Sequence, residues 1–303
     1  MCPLCGSSFN ALLENRSSLI CVENNHCFDI AAKGYVNFIP NQKQESEQYS
    51  KKLFESRAFV FEAGVYDAVI DSIYDMILSY FELIADLTLA NQSGAEGRQS
   101  GKKADASNES VKNERYSLLD VGCGEGYYAA KLNEKAELNV FGIDIIKEAI
   151  IASCKKKVPV KWMVADLTKI PMQSESVDIL LNVLTTANYD EFKRVLKKDG
   201  IIIKVVPGKD YLKEIREIVK PELRNKDYSN ESVIELFKKH VNVLNIKTLN
   251  YKFPVDVHLF KQIMHMTPLT SGIDMQGFEI DKNFKAAHIT IDLQILVGKF
   301  LSN

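Results

Sequence analysis

The sequence predicts an α/β fold: a doubly wound, mostly parallel sheet, Rossmann-like in outline, with a small appendage at the N-terminus. Three observations predict it. Apolar segments at 117–121, 139–144, 160–164, 177–183 and 200–206 alternate with amphipathic ones near 126–135, 146–155 and 189–197, the βα rhythm of a parallel sheet. The run LLDVGCGEGYY from Leu118 to Tyr128 reads as a strand, a glycine turn and a helix start. A length of 303 residues with 46% hydrophobic content can bury one large core plus a small module.

Residues 1–40 are turn-rich and carry four of the six cysteines, Cys2, Cys5, Cys21 and Cys27. So short a segment cannot bury a core of its own, and a metal staple is the expected source of its stability. From Glu45 to Leu89 the pattern is helical: Leu53, Phe54, Ala58, Phe61 and Val65 recur at helical spacing, and after Gly64 so do Val69, Ile70, Ile73, Ile77 and Phe81. Segment 41–90 is therefore expected to be a helical connection, and 91–115, polar and almost free of apolar residues, a flexible insertion. The alternating segments then open a domain spanning 116–303. Beyond Pro207, helices are expected near 209–219, 230–239 and 256–266, and strands at 243–253 and 288–297.

The glycine turn carries the most specific chemistry. Glycine allows backbone to turn sharply and approach a ligand where a Cβ would intrude. The spacing here is G-x-G-x-G, from Gly122 through Gly124 to Gly126, with Asp120 at the strand end. That acid would repel a diphosphate but suits a cationic methionyl group, which favours an adenosyl sulfonium over a dinucleotide. Val140 to Asp144 reads as a second strand ending in a carboxylate, placed to accept both hydroxyls of a ribose. The spacing thus points to S-adenosylmethionine (SAM).

Cys2-Pro3-Leu4-Cys5 forms a knuckle suited to tetrahedral zinc, with a second pair expected from Cys21 and either His26 or Cys27. Cysteine clustering of this kind favours a metal over disulfides. No apolar run approaches the roughly eighteen residues of a membrane helix, and no signal peptide precedes the first cysteine. A soluble, cytoplasmic protein is expected. The net charge of −2 gives no global argument for nucleic acid. Between Glu191 and Asp227, eleven Lys/Arg against seven Asp/Glu leave a local excess of four positives, read as solvated helices as readily as an RNA-facing patch.

Taken together, several of these segments resemble one family. Cys2-x-x-Cys5, Cys21 to Asp29, Lys33-Gly34-Tyr35-Val36-Asn37, Arg57-Ala58-Phe59, Gly64-x-Tyr66, the glycine loop, Pro207-Gly208 with Leu212, and Met266-Thr267-Pro268 are similar to the bacterial 23S rRNA guanine-N(1) methyltransferases of the RlmA type. The resemblance implies a class I SAM-dependent methyltransferase domain with a zinc-binding module that grips an RNA hairpin, and it suggests a homodimer. It carries the zinc ligands over to Cys2, Cys5, Cys21 and His26, with Cys27 as a substitute. It carries cofactor contacts over to Asp120, Gly122, Gly124 and Gly126, the ribose acid to Asp144 and the adenine-facing acid to Asp166. Cys123, Tyr127, Ile145, Leu167 and Asn182 complete the expected cofactor lining. After the fourth strand the family tends to show a small residue followed by proline; this chain reads Asn182 to Asn188 as NVLTTAN.

The same loop weighs against two chemistries. It holds neither the nucleophilic cysteine of a C5-pyrimidine methyltransferase nor the Asn/Asp-Pro-Pro-aromatic turn used on adenine amino groups. Cys123 and Cys154 read as small fillers. Phe38, Tyr49, Tyr66, Tyr127 and Tyr128 are candidates to stack on a base, although aromatics at helix starts more often pack on the sheet. His258 and His265 read as core or rim groups. Two other functions remain open at this point: a small-molecule methyltransferase with a structural zinc, and a non-catalytic SAM- or RNA-binding protein.

Overall fold

The computed structural model describes residues 1–9, 17–39, 51–95, 115–219, 229–270 and 287–301. The elements, in chain order, are β1 (Ser18–Ile20), β2 (Cys27–Asp29), β3 (Tyr35–Asn37), α1 (Lys51–Glu62), α2 (Asp67–Ala95), β4 (Ser117–Val121), α3 (Tyr127–Lys135), β5 (Asn139–Asp144), α4 (Lys147–Ser153) and β6 (Lys161–Val164). They continue with β7 (Val177–Val183), α5 (Tyr189–Val195), β8 (Leu196–Pro207), α6 (Lys213–Val219), α7 (Glu231–His240), β9 (Val241–Pro254), α8 (Val257–Met266) and β10 (His288–Phe300). The eight-stranded sheet has the order β3-β6-β5-β4-β7-β8-β10-β9. Pairing is parallel from β3 to β8, and β10 inserts antiparallel between β8 and β9.

This order positions the site. From β4 the chain winds one way through β5 and β6, then resumes on the other side of β4 with β7 and β8. The loop after β4 therefore opens at the point where the winding reverses, where the carboxyl ends of neighbouring strands leave a crevice. The strands of this central region are apolar on both faces because helices cover both: Leu118, Leu119 and Val121 of β4 and Ile179, Leu180 and Leu181 of β7 are fully buried. Helices start where the sequence supplies a cap. Asn188 accepts from the Glu191 N–H at 3.1 Å to open α5, and Asp256 accepts from the Leu259 N–H at 2.7 Å to open α8.

The structure redraws several expected boundaries. Tyr35–Asn37, counted with the small module 1–40, instead pairs in parallel with Trp162–Val164 as the edge strand of the main sheet. Residues 91–95, expected in the insertion, lie at the end of α2. The remainder of that insertion to 114, Pro40, and residues 45–50 of the helical reading, with Tyr49, lie outside the described residues. The strand expected at 200–206 begins at Leu196 and shortens the preceding helix, while α6 begins at Lys213 after a turn that holds Leu212 at φ 54°. Among the described residues, no helix is long and apolar enough to cross a membrane.

Candidate functional site

At the end of β4 the chain turns through three glycines in the left-handed region, with φ of 71° at Gly122, 56° at Gly124 and 72° at Gly126. Space as well as torsion excludes a side chain at the first and last. A Cβ on Gly122 would lie 2.7 Å from Thr185 Oγ1, and one on Gly126 2.3 Å from Trp162 Cη2. The turn brings Gly124 under Asp144, whose Oδ2 accepts from the Gly124 N–H at 2.8 Å while Oδ1 accepts from the Ile146 N–H at 2.8 Å. Each oxygen keeps a lone pair for one further donor. Burial raises the Asp144 pKa from its ordinary value.

Asp120 is 1% exposed, and its Oδ2 has no hydrogen-bond partner among the described residues. Burial pushes its carboxyl up to about 8. A buried acid with an open oxygen beside a glycine cradle is what a cationic ligand group would complete. In the loop after β6, Asp166 Oδ1 accepts from the Thr168 N–H at 2.8 Å, and Leu167 packs toward the core. Ile145, beside Asp144, is 40% exposed. Burial drives the Cys123 thiol well above its usual range, which leaves it a neutral filler.

Two residues of the expected cofactor lining have their side chains engaged within the protein. The Tyr127 ring stacks on Phe61 at 4.2 Å and its hydroxyl donates to Asp67 Oδ1 at 2.6 Å, so the side chain belongs to the core. Asn182, fully buried, has every polar atom engaged: Nδ2 donates to Thr186 O at 2.9 Å and to Val121 O at 3.5 Å, and Oδ1 accepts from Lys204 Nζ. It holds the loop after β7 in place. Lys204, a functional candidate that sequence reasoning missed, also donates to Thr185 O at 3.2 Å; burial lowers its pKa to about 8. A lone lysine inside the apolar run Ile201 to Val206 was the available signal.

The base-stacking candidates among the described residues are likewise in the core. Phe38 packs on Phe28 at 5.0 Å, and the Tyr66 and Tyr211 hydroxyls lie 2.7 Å apart. Tyr128 is 7% exposed. His258 meets the edge of Phe59 at 4.8 Å.

At the N-terminus, one donor atom each from Cys2, Cys5, Cys21 and His26 gathers within 4.8 Å of the others. Cys5 Sγ and Cys21 Sγ are 3.7 Å apart, and His26 Nδ1 lies 3.5 Å from both Cys2 Sγ and Cys21 Sγ. A tetrahedral zinc with its ordinary bond lengths has edges of about 3.8 Å for S···S and about 3.6 Å for S···N, so the donor set fits the ion. The His26 backbone N–H donates to Cys21 Sγ at 3.2 Å. Hydrogen bonds from Asn24 and Ser7 lower the Cys5 thiol to about 5, which favours a ligating thiolate. Cys27 is exposed and its Sγ lies 4.0 Å from Asp29 Oδ1, away from the cluster. The cluster is docked against the sheet: Cys2, Cys21, Phe28 and Phe38 share one core with Leu119, Val121, Ile143 and Met163.

Comparison with known proteins adds to this geometry. A family model described as a methyltransferase domain matches residues 119–204, and a zinc-ribbon model described as RlmA, N-terminal, matches residues 1–47. The "Putative 23S rRNA (guanine-N(1)-)-methyltransferase YxjB" of Bacillus subtilis (strain 168) is 33% identical over 98% of this chain and 95% of its own length. The 23S rRNA (guanine(748)-N(1))-methyltransferase of Streptomyces fradiae is 22% identical over 88% of this chain and 84% of its own length. With a SAM-type glycine loop at the winding reversal, a four-donor zinc cluster, and likeness along nearly its whole length, the chain belongs to the RlmA family of SAM-dependent methyltransferases.

Proposed function

We propose that the protein transfers a methyl group to N1 of a guanine in a hairpin of 23S rRNA, in the cytoplasm, with the zinc ribbon gripping the RNA. The observation that carries the reading is that cradle and ribbon share one body. Phe28 and Phe38, beside the four-donor cluster, pack into the same core as the strand that carries the glycine loop. A ribbon held in this way can present RNA to the reacting centre in a fixed register.

Bound SAM supplies a sulfonium methyl for a ring nitrogen to take. The chain's residues supply position. Asp144, with a lone pair free on each oxygen, fits the two ribose hydroxyls. Ile145 and Leu167 offer apolar surface to the adenine, with Asp166 at its polar edge. Asp120 faces the ammonium of the methionyl group. Lys204 and Asn182 fix the loop of Leu184, Thr185 and Thr186 on the acceptor side. The guanine N1 must also release its proton, so attack requires an acceptor near the base. Two copies, joined as a homodimer, would present two ribbons to one RNA.

The test supplies methyl-labelled SAM with 23S rRNA, with hairpin fragments of it, and with metabolite-sized acceptors such as quinones. Label is expected in the RNA. Cys5→Ser, which removes one zinc ligand, is expected to lower RNA labelling roughly tenfold or more while S-adenosylhomocysteine still binds. Deleting residues 1–40 would be a poorer probe, because it also strips β3 from the sheet. Turnover of a small acceptor with none on RNA would overturn the reading.

A further inference from the structure

Arg57 belongs to α1, well before the segment 119–204 matched as a methyltransferase domain, yet its side chain reaches the glycine loop. Its Nη2 lies 3.1 Å from the point where a Cβ on Gly124 would stand. Its Nε lies 3.1 Å from Oε1 and 2.8 Å from Oε2 of Glu125, a loop residue that is itself 2% exposed. The guanidinium carbon sits 5.7 Å from the centre of the Phe61 ring. The guanidinium is thus fixed from one side, through Nε and the ring. Among the described residues, its two terminal nitrogens donate no hydrogen bond, and the side chain remains 32% exposed. A planar fork held at its base with its prongs open matches a carboxylate bidentately.

The same loop carries an acid. Asp120, at the end of β4, is buried with Oδ2 open. An open cationic fork and an open buried acid on one short glycine turn are complementary to a zwitterion, and the methionyl group of SAM ends in an α-ammonium and an α-carboxylate. We propose that Arg57 binds the α-carboxylate of the cofactor's methionyl group, with Asp120 opposite as partner of the ammonium. The inference rests on the reading of the glycine loop as the SAM site. It extends that site to α1, with Glu125 as the positioning residue that aims the fork. The bland alternative is that the Arg57–Glu125 pair only pins α1 to the loop.

The two roles separate by ligand. S-adenosylhomocysteine carries the amino-acid group, whereas 5′-methylthioadenosine shares its thio-adenosine portion and lacks that group. Titration calorimetry of the full chain with both is the test. Arg57→Met is expected to weaken S-adenosylhomocysteine about 10- to 100-fold and 5′-methylthioadenosine less than about twofold. Glu125→Gln is expected to produce a smaller loss in the same direction, again confined to S-adenosylhomocysteine. Should Arg57→Met fail to fold, Arg57→Lys keeps the charge and loses the fork, and is expected to weaken S-adenosylhomocysteine about tenfold with the nucleoside unaffected. Equal losses for both ligands, or none for either, would overturn the assignment while leaving the SAM site intact. Wild-type protein that binds neither ligand would instead overturn the reading of the site itself.

Discussion

Asp120 shows how one residue's environment becomes a measurable property. Burial pushes its carboxyl up to about 8, so at pH 7 it is mostly protonated in the free protein. An ammonium placed beside it favours the ionised form. Binding of S-adenosylhomocysteine at pH 7 is therefore expected to release protons, up to about one per site. The release should shrink as pH rises past 8, where the free protein has already ionised. Calorimetry in buffers of different ionisation enthalpy reads it directly, and Asp120→Asn should abolish the release and weaken binding. The placement of Asp120 and Asp144 beside the glycine turn was legible because both stand at the ends of short apolar strands next to it. Asn182 was legible as a position but not in its role, because only the fold pairs β7 with β8 in the register that sets it against Lys204. The packing of Tyr127 was hidden for a similar reason: its partners Phe61 and Asp67 come from segments that the local pattern does not connect to it.

At the scale of elements, the glycine turn is a joint between β4, α3 and the neighbouring strands. Gly126 precedes α3 with φ 72°, and a Cβ there would lie 2.3 Å from Trp162 Cη2 and 2.8 Å from Ser153 Cβ. Gly126→Ala combines left-handed strain of about 1–2 kcal/mol with overpacking of about 1–3 kcal/mol. A loss near 3 kcal/mol is expected in denaturant unfolding followed by the emission of Trp162, the chain's single tryptophan. The alternating strands and helices of the sheet were readable because buried parallel strands are short apolar runs bounded by turns. Short β3 was not, since three residues carry no periodicity and its pairing with β6 is long-range. The antiparallel setting of β10 was also hidden, because direction follows from how the chain returns and not from composition. The early start of β8 followed the same rule: Leu196 joins the sheet by pairing with Val177, a distant partner.

For the whole molecule, the ribbon and the cofactor cradle are one packed object. The N-terminal ammonium of Met1 donates to Pro171 O at 3.0 Å, and Gln173 Nε2 donates to Ser8 Oγ at 3.3 Å, tying the metal cluster to the loop after β6. The sequence supplied the four donors of the cluster, and left the choice between His26 and Cys27 open because spacing alone does not aim a side chain. What it could not supply is the docking of the ribbon on the sheet, which depends on Phe28 and Phe38 meeting residues far along the chain. That docking is the reason to read the protein as an enzyme acting on a large RNA. The most direct measurement is base-resolved. 23S rRNA treated with the protein and SAM is digested to nucleosides for mass spectrometry and, in parallel, copied by reverse transcriptase. The account predicts 1-methylguanosine and a single strong stop at one guanine in a hairpin, since a methyl on N1 blocks pairing. A methyl group on another atom or base, or unmodified RNA from protein that binds S-adenosylhomocysteine and holds its zinc, would contradict it.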